Sequence, residues 1–120
     1  MLLHIDDHKR IEDLQEHFNE CFPYLKMEFY KTPHKWLQEC EKSNLIDSTV
    51  LIGSVRKKHF SGPLEIKSWD KTGKVEQDLS NLFGLNAQVF RMYKTGWIQT
   101  SYSDDLTLKQ QSEIAGYNLP

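Results

Sequence analysis

Apolar residues recur at two different periods along this chain, and the alternation between those periods marks out its elements. Ile11, Leu14, Phe18, Cys21 and Phe22 fall at spacings of three and four, the stripe of an amphipathic helix. Asp6 or Asp7 stands where a helix start wants a cap, and Pro23 where a helix stops. Leu2, Leu3 and Ile5 ahead of it read as a short strand, and Leu25-Lys26-Met27-Glu28-Phe29-Tyr30 behind it alternates with period two, a half-buried strand. The grammar returns later. Leu64-Glu65-Ile66-Lys67 follows the breaker Ser61-Gly62-Pro63. Val75, Leu79, Leu82 and Phe83 then form a second helical stripe closed by Gly84, and Ala87 to Tyr93 is a strand. Phe18-x3-Phe22-Pro23 is echoed by Leu79-x3-Phe83-Gly84, which supports a duplicated strand-helix-strand unit.

The second unit carries additions. Lys94-Thr95-Gly96 reads as a turn with a glycine available for positive φ, and Trp97 to Tyr102 as the returning strand of a hairpin. Thr107-Leu108-Lys109-Gln110 has the form of a capping box and opens a short helix expected to end before Gly116. Residues 31–62 carry no firm period: Trp36, Leu37 and Cys40 suit a helical turn after Pro33, and the stretch reads as an irregular, partly mobile connection. The order β-α-β-β-α-β predicts an α+β, ferredoxin-like sandwich with an added C-terminal hairpin strand and short helix, one domain over residues 1–120. Whether the last helix leaves the sheet face open decides whether that face is a ligand surface.

Several phrases bear a resemblance. Phe22-Pro23-Tyr24-Leu25-Lys26-Met27-Glu28-Phe29, Gly84-Leu85-Asn86-Ala87-Gln88-Val89-Phe90-Arg91 and Trp97-Ile98-Gln99-Thr100, followed by Asp104-Asp105-Leu106-Thr107-Leu108, resemble a family of small uncharacterised bacterial proteins of the Bacteroidota type. The resemblance runs nearly end to end apart from residues 31–50. It implies an independent bacterial cytoplasmic domain, and it implies no activity, cofactor or catalytic residue.

Composition narrows the classes. Hydrophobic residues at 38% and charged residues at 27% of 120 are ordinary for a folded globular protein, with length enough for a core without staples. No apolar run approaches a membrane span, and the N-terminus has no signal-peptide pattern. Cys21 and Cys40 lack metal or redox spacing, which suits a reducing, cytoplasmic compartment. The net charge of −2 excludes a strongly cationic partner-seeker, yet it divides into −4 over residues 1–50, +4 over 51–94 and −2 over 95–120.

Candidate chemistry is sparse. His4, Asp6, Asp7 and His8 are four ligand types in five residues, but helix capping explains both carboxylates and no second cluster completes a metal shell. Asp104-Asp105 is likewise explained by the helix start that follows. The five histidines stand away from any Gly-x-Ser-x-Gly elbow or catalytic cysteine signature, and no glycine-rich phosphate loop is present. No catalytic residue, metal, cofactor or small-molecule substrate is therefore assigned, and an enzyme ranks last. Arg56-Lys57-Lys58-His59, Lys67, Lys71, Lys74, Arg91 and Lys94 lie near Trp69, Phe90, Tyr93 and Trp97, a mixture that suits single-stranded RNA on a sheet face. The RNP1 pattern is missing, so nucleic acid is the alternative reading. The first is a non-catalytic protein-interaction or self-associating module, a possible homodimer, whose contact candidates are Arg91, Tyr93, Trp97, Tyr102, Trp69 and Lys67.

Overall fold

A computed structural model describes residues 1–33 and 40–117; the expected helical turn at Trp36 and Leu37 lies outside them. The elements run β1 (Leu2–Ile5), α1 (Ile11–Cys21), β2 (Leu25–Tyr30), β3 (Gly62–Glu65), α2 (Thr72–Phe83), β4 (Asn86–Tyr93), β5 (Gly96–Gln99) and α3 (Leu108–Tyr117). Single 3-10 turns stand at Lys42–Asn44, Ile52–Ser54 and Ser101–Ser103. The chain is α+β, and both helices and the strand at 25–30 fall where the periodicity puts them, but Cys21 and Leu82, expected on the apolar stripes, are exposed.

The pairing of strands differs from a ferredoxin-like sheet. Two antiparallel sheets form among the described residues, β1 with β3 and β2-β4-β5, so neither strand-helix-strand unit has its own two strands in one sheet. The antiparallel β1-β3 ribbon, Leu3 opposite Leu64, is one a ferredoxin-like sheet also has; the departure is β2, which pairs with β4, Met27 opposite Val89, and not with β3. Periodicity reports which face of a strand is buried, and it is silent on which strand lies alongside. One hydrophobic cluster serves both units, with Leu3, Ile11, Leu14, Phe18, Met27 and Phe29 from the first and Leu64, Val75, Leu79, Phe83 and Val89 from the second.

The same local device precedes each helix. Residues 10 and 51 bridge one another just before α1 and the 3-10 turn at Ile52, and residues 71 and 107 do so just before α2 and α3. Asp6 and Asp47 each close the turn leading into this device, Asp6 Oδ1 accepting from His8 N and Asp47 Oδ1 from Thr49 N, both at 2.8 Å. Asp6 is therefore a turn residue. The cap of α1 comes from Asp13, whose carboxylate accepts the Arg10 backbone N–H at 2.8 Å.

The remaining ends follow familiar chemistry, with small corrections. Gly84 closes α2 in the left-handed region at φ 67, with its N–H on Ser80 O and Leu85 N–H on Leu79 O. The Thr107–Gln110 box forms both of its bonds, and α3 continues through Gly116 to Tyr117. Gly62 and Pro63 lie inside β3, where proline's missing N–H faces the outer edge. Such a residue keeps that edge from pairing further. At the hairpin turn the positive φ falls on Lys94 (53°), not on Gly96. The returning strand stops at Gln99, because residues 101–103 turn into 3-10 conformation.

Candidate functional site

Side chains alternate across β2-β4-β5, and one face carries the half-exposed set. Lys26 lies opposite Phe90, and Trp97 opposite Met92. Lys26 Nζ sits 5.2 Å from the ring centroid of Phe90 and 5.2 Å from that of Trp97, a cation held against two aromatics, and pairs with Glu28 at 3.3 Å. Towards its far end this face is covered. Gln88 is buried, its Oε1 accepting from Ser101 Oγ at 3.2 Å, with Cys40 Sγ 3.7 Å away. The connection between the halves, and not the C-terminal helix, therefore covers part of the open face.

The two edges of this sheet are treated differently. On β2 the outward carbonyls of Leu25, Met27 and Phe29 accept from Asn19 Nδ2 (2.8 Å), Gln15 Nε2 (2.9 Å) and Ile46 N (2.8 Å). On β5, Thr100 N–H donates to Val89 O, which fixes the alternation and turns the backbone groups of Trp97 and Gln99 away from β4. Those backbone groups meet no partner among the described residues. The Gln99 side chain bonds the Cys40 backbone twice, donating to its carbonyl and accepting from its N–H, each at 2.9 Å.

The contact candidates do not gather in one place. Trp97 is half-buried beside Lys26, and Tyr93 stands exposed at the turn with Lys94 Nζ 5.4 Å from its ring. Tyr102 on the 3-10 turn is 76% exposed and Trp69 69%, and Lys67 Nζ lies 5.6 Å from the Trp69 ring in the loop that enters α2. Arg91 is turned inward. Its guanidinium donates to Ser103 Oγ at 3.2 Å and Gln111 Oε1 at 2.8 Å, tying α3 to β4.

The basic run is also spent inside the fold. Arg56 is buried: Nε and Nη2 reach Asp7 Oδ1 at 2.9 and 2.8 Å, and Nη1 donates to the carbonyls of Phe60 and Phe83. Lys58 Nζ caps Asn81 O, so two cations close the C-terminal end of α2. His59 Nδ1 lies 2.8 Å from the second oxygen of Asp7. Partial desolvation works against ionisation of Asp7, yet its bonds to Arg56 and His59 hold the carboxyl below its ordinary range. Asp7 is thus an internal anchor, and no group of three or more His, Cys, Asp or Glu among the described residues is placed to hold a metal.

A buried polar seam escaped the reading of the sequence. Glu76 on α2 accepts the Val89 N–H at 2.7 Å, standing in for the strand partner that β5 no longer supplies where it turns away. Burial, and then the neighbouring Asp104 carboxyl to which it is hydrogen-bonded, push the Glu76 acid well above its ordinary value. Gln111 Nε2 donates to Ser103 O at 2.8 Å and reaches Thr72 Oγ1 at 3.3 Å, extending the seam to α3. Burial, with Glu76 and Asp104 nearby, pushes the Cys40 thiol up to about 12, which favours the protonated thiol at neutral pH. The one available signal was Glu76 itself, a carboxylate beside Val75 on the apolar stripe of a helix.

Comparison with protein-family models, with curated proteins and with solved structures finds no match.

Proposed function

We propose that this chain is a non-catalytic protein-interaction module that pairs through the outer edge of β5, with a second copy of itself as the first partner. The observation behind this reading is the edge itself: Trp97 and Gln99 point their backbone groups away from β4, flanked by the aromatic rings of Trp97 and Tyr93. An added strand would satisfy those groups while the aromatics supply contact area. The two free thiols, Cys21 and Cys40, favour a reducing, cytoplasmic setting, in keeping with the resemblance to small bacterial proteins.

Nucleic-acid binding ranks below it, because Arg56, Lys58 and Arg91 are engaged within the fold. Size-exclusion chromatography with light scattering tests the proposal over a wide range of concentration. The expected result is a concentration-dependent dimer weakened by Trp97→Lys, which places a charge on the edge. A strict monomer at millimolar concentration defeats self-pairing, and salt-sensitive retention of RNA would favour the alternative.

A further inference from the structure

A shallow groove of ≈ 260 Å³ runs from the polar flank of α1 across β2 to Trp97, lined by Gln15, Glu16, Asn19, Lys26 and Glu28. Its hydrogen-bonding character is one-sided. Gln15 and Asn19 spend their amide N–H groups on the carbonyls of Met27 and Leu25, which leaves Gln15 Oε1 and Asn19 Oδ1 as acceptors. Glu16 adds an exposed carboxylate, Glu28 adds one that already takes Lys26 Nζ at 3.3 Å and Gln15 Nε2 at 3.2 Å, and the exposed face of α1 continues with Asp13 and Glu20 on a helix that holds no Lys or Arg. Among the described residues Lys26 is the one cation on the lining. It is paired with Glu28 and held against Phe90 and Trp97, so the chain's own lysine already shows that a cation suits the aromatic end.

We propose that this groove is a docking site for an extended, arginine-bearing segment of a partner protein. Acceptors along one wall, carboxylates beside them and an indole at the end match a planar guanidinium, which donates through five N–H groups and stacks on aromatic faces. An acidic segment would meet Glu16, Glu28 and the acidic face of α1, and a neutral one would leave that negative charge unmatched. The proposal rests on the reading of the chain as an interaction module and gives it a partner chemistry. It does not need self-pairing.

The test uses the full chain and three labelled peptides, Gly-Arg-Gly-Arg-Gly and its counterparts with Lys or Glu in place of Arg, titrated by fluorescence anisotropy. The arginine peptide is expected to bind saturably, more tightly than the lysine peptide and far more tightly than the glutamate peptide, with affinity falling as salt rises. Glu16→Lys, an exposed change that leaves the core untouched, should weaken it roughly tenfold or more. Trp97→Ala should weaken it too, and Lys26→Met, by removing the resident cation, should tighten it. The Trp97 indole and the Gln15 and Asn19 side-chain amides should shift in heteronuclear NMR spectra. Absence of saturation, equal affinity for the glutamate peptide, or indifference to Glu16→Lys overturns the assignment. A chain that remains monomeric yet takes up the arginine peptide ends self-pairing and keeps the groove; a dimer that ignores the peptide does the reverse.

Discussion

Gln15 and Glu76 are each the fifth residue of their helix, in the first and second half of the chain, and each reaches a backbone group on the side of its own half's strand that faces away from the β2–β4 pairing. Gln15 does this at the surface with a neutral amide that donates to Met27 O. Glu76 does it in the buried seam beside Asp104, with a carboxyl that accepts from Val89 N–H. The strand group to be satisfied differs, a carbonyl in one half and an N–H in the other, and so does access to water. Where water reaches, the side chain is one partner among several. Where the C-terminal addition excludes water, the same position becomes indispensable, and the helix must carry a polar group into its apolar face.

The largest expected effect separates these two positions. Glu76→Ala should cost about 2–4 kcal/mol in urea denaturation, since a buried N–H loses its acceptor and the side chain leaves a void. Gln15→Ala should cost about 1 kcal/mol or less, because water can replace the amide at Met27 O. Equal losses at the two sites would mean that burial under the C-terminal addition is not what distinguishes the halves.

The second prediction turns on the Glu76 proton. Its acid form is favoured in the folded state, so the folded chain binds more protons than the unfolded chain above the ordinary carboxylate range. Stability then declines as pH rises from that range through the raised folded value, at most about 1.4 kcal/mol per pH unit for one proton. Asp104 shares the site, and Cys40, pushed up to about 12, contributes nothing in the neutral window. Glu76→Gln keeps an acceptor for Val89 N–H and removes the titration, so its stability between pH 5 and 8 should be flatter than that of the parent, as chemical denaturation at several pH values would show. Asp7 works in the opposite sense: its lowered value means that its anchor is lost as pH falls through the acid range.

How much of this was legible beforehand follows from what each signal measures. The stripes at Ile11–Phe22 and Val75–Phe83, the alternation at Leu25–Tyr30, the Thr107 box and Gly84 are local, and local patterns carry through to local structure. Strand partnership is not local. Met27 reads the same whether its neighbour is β3 or β4, and the choice leaves no mark on periodicity. The fate of cations is hidden for a similar reason: Arg56 looks like one member of a basic run until the fold brings Asp7 and the carbonyl of Phe83 to it across 49 and 27 residues. Of the six contact candidates, Arg91 shows the limit most plainly. Its position in β4 was readable, but its direction depends on α3, which only the tertiary structure supplies.

The smallest expected effect contrasts the two helix ends. Both helices stop just before a strand, α1 at Phe22-Pro23 and α2 at Gly84-Leu85. The chain leaves α1 with Phe22 at φ −131, a conformation open to any residue, so Pro23 serves there by stiffening the unfolded chain and not by solving a steric problem. Gly84 leaves α2 at φ 67, and a Cβ there would also lie 3.2 Å from the Cβ of Lys58, whose ammonium caps the same helix end. Gly84→Ala should therefore cost about 1–2 kcal/mol by thermal or urea unfolding, and Pro23→Ala under about 1 kcal/mol. A further Lys58→Gly change, which removes the crowding Cβ itself, should recover part of the Gly84→Ala loss once the Lys58→Gly cost on its own is subtracted. A loss unaltered by the second change would assign the whole cost to the left-handed backbone.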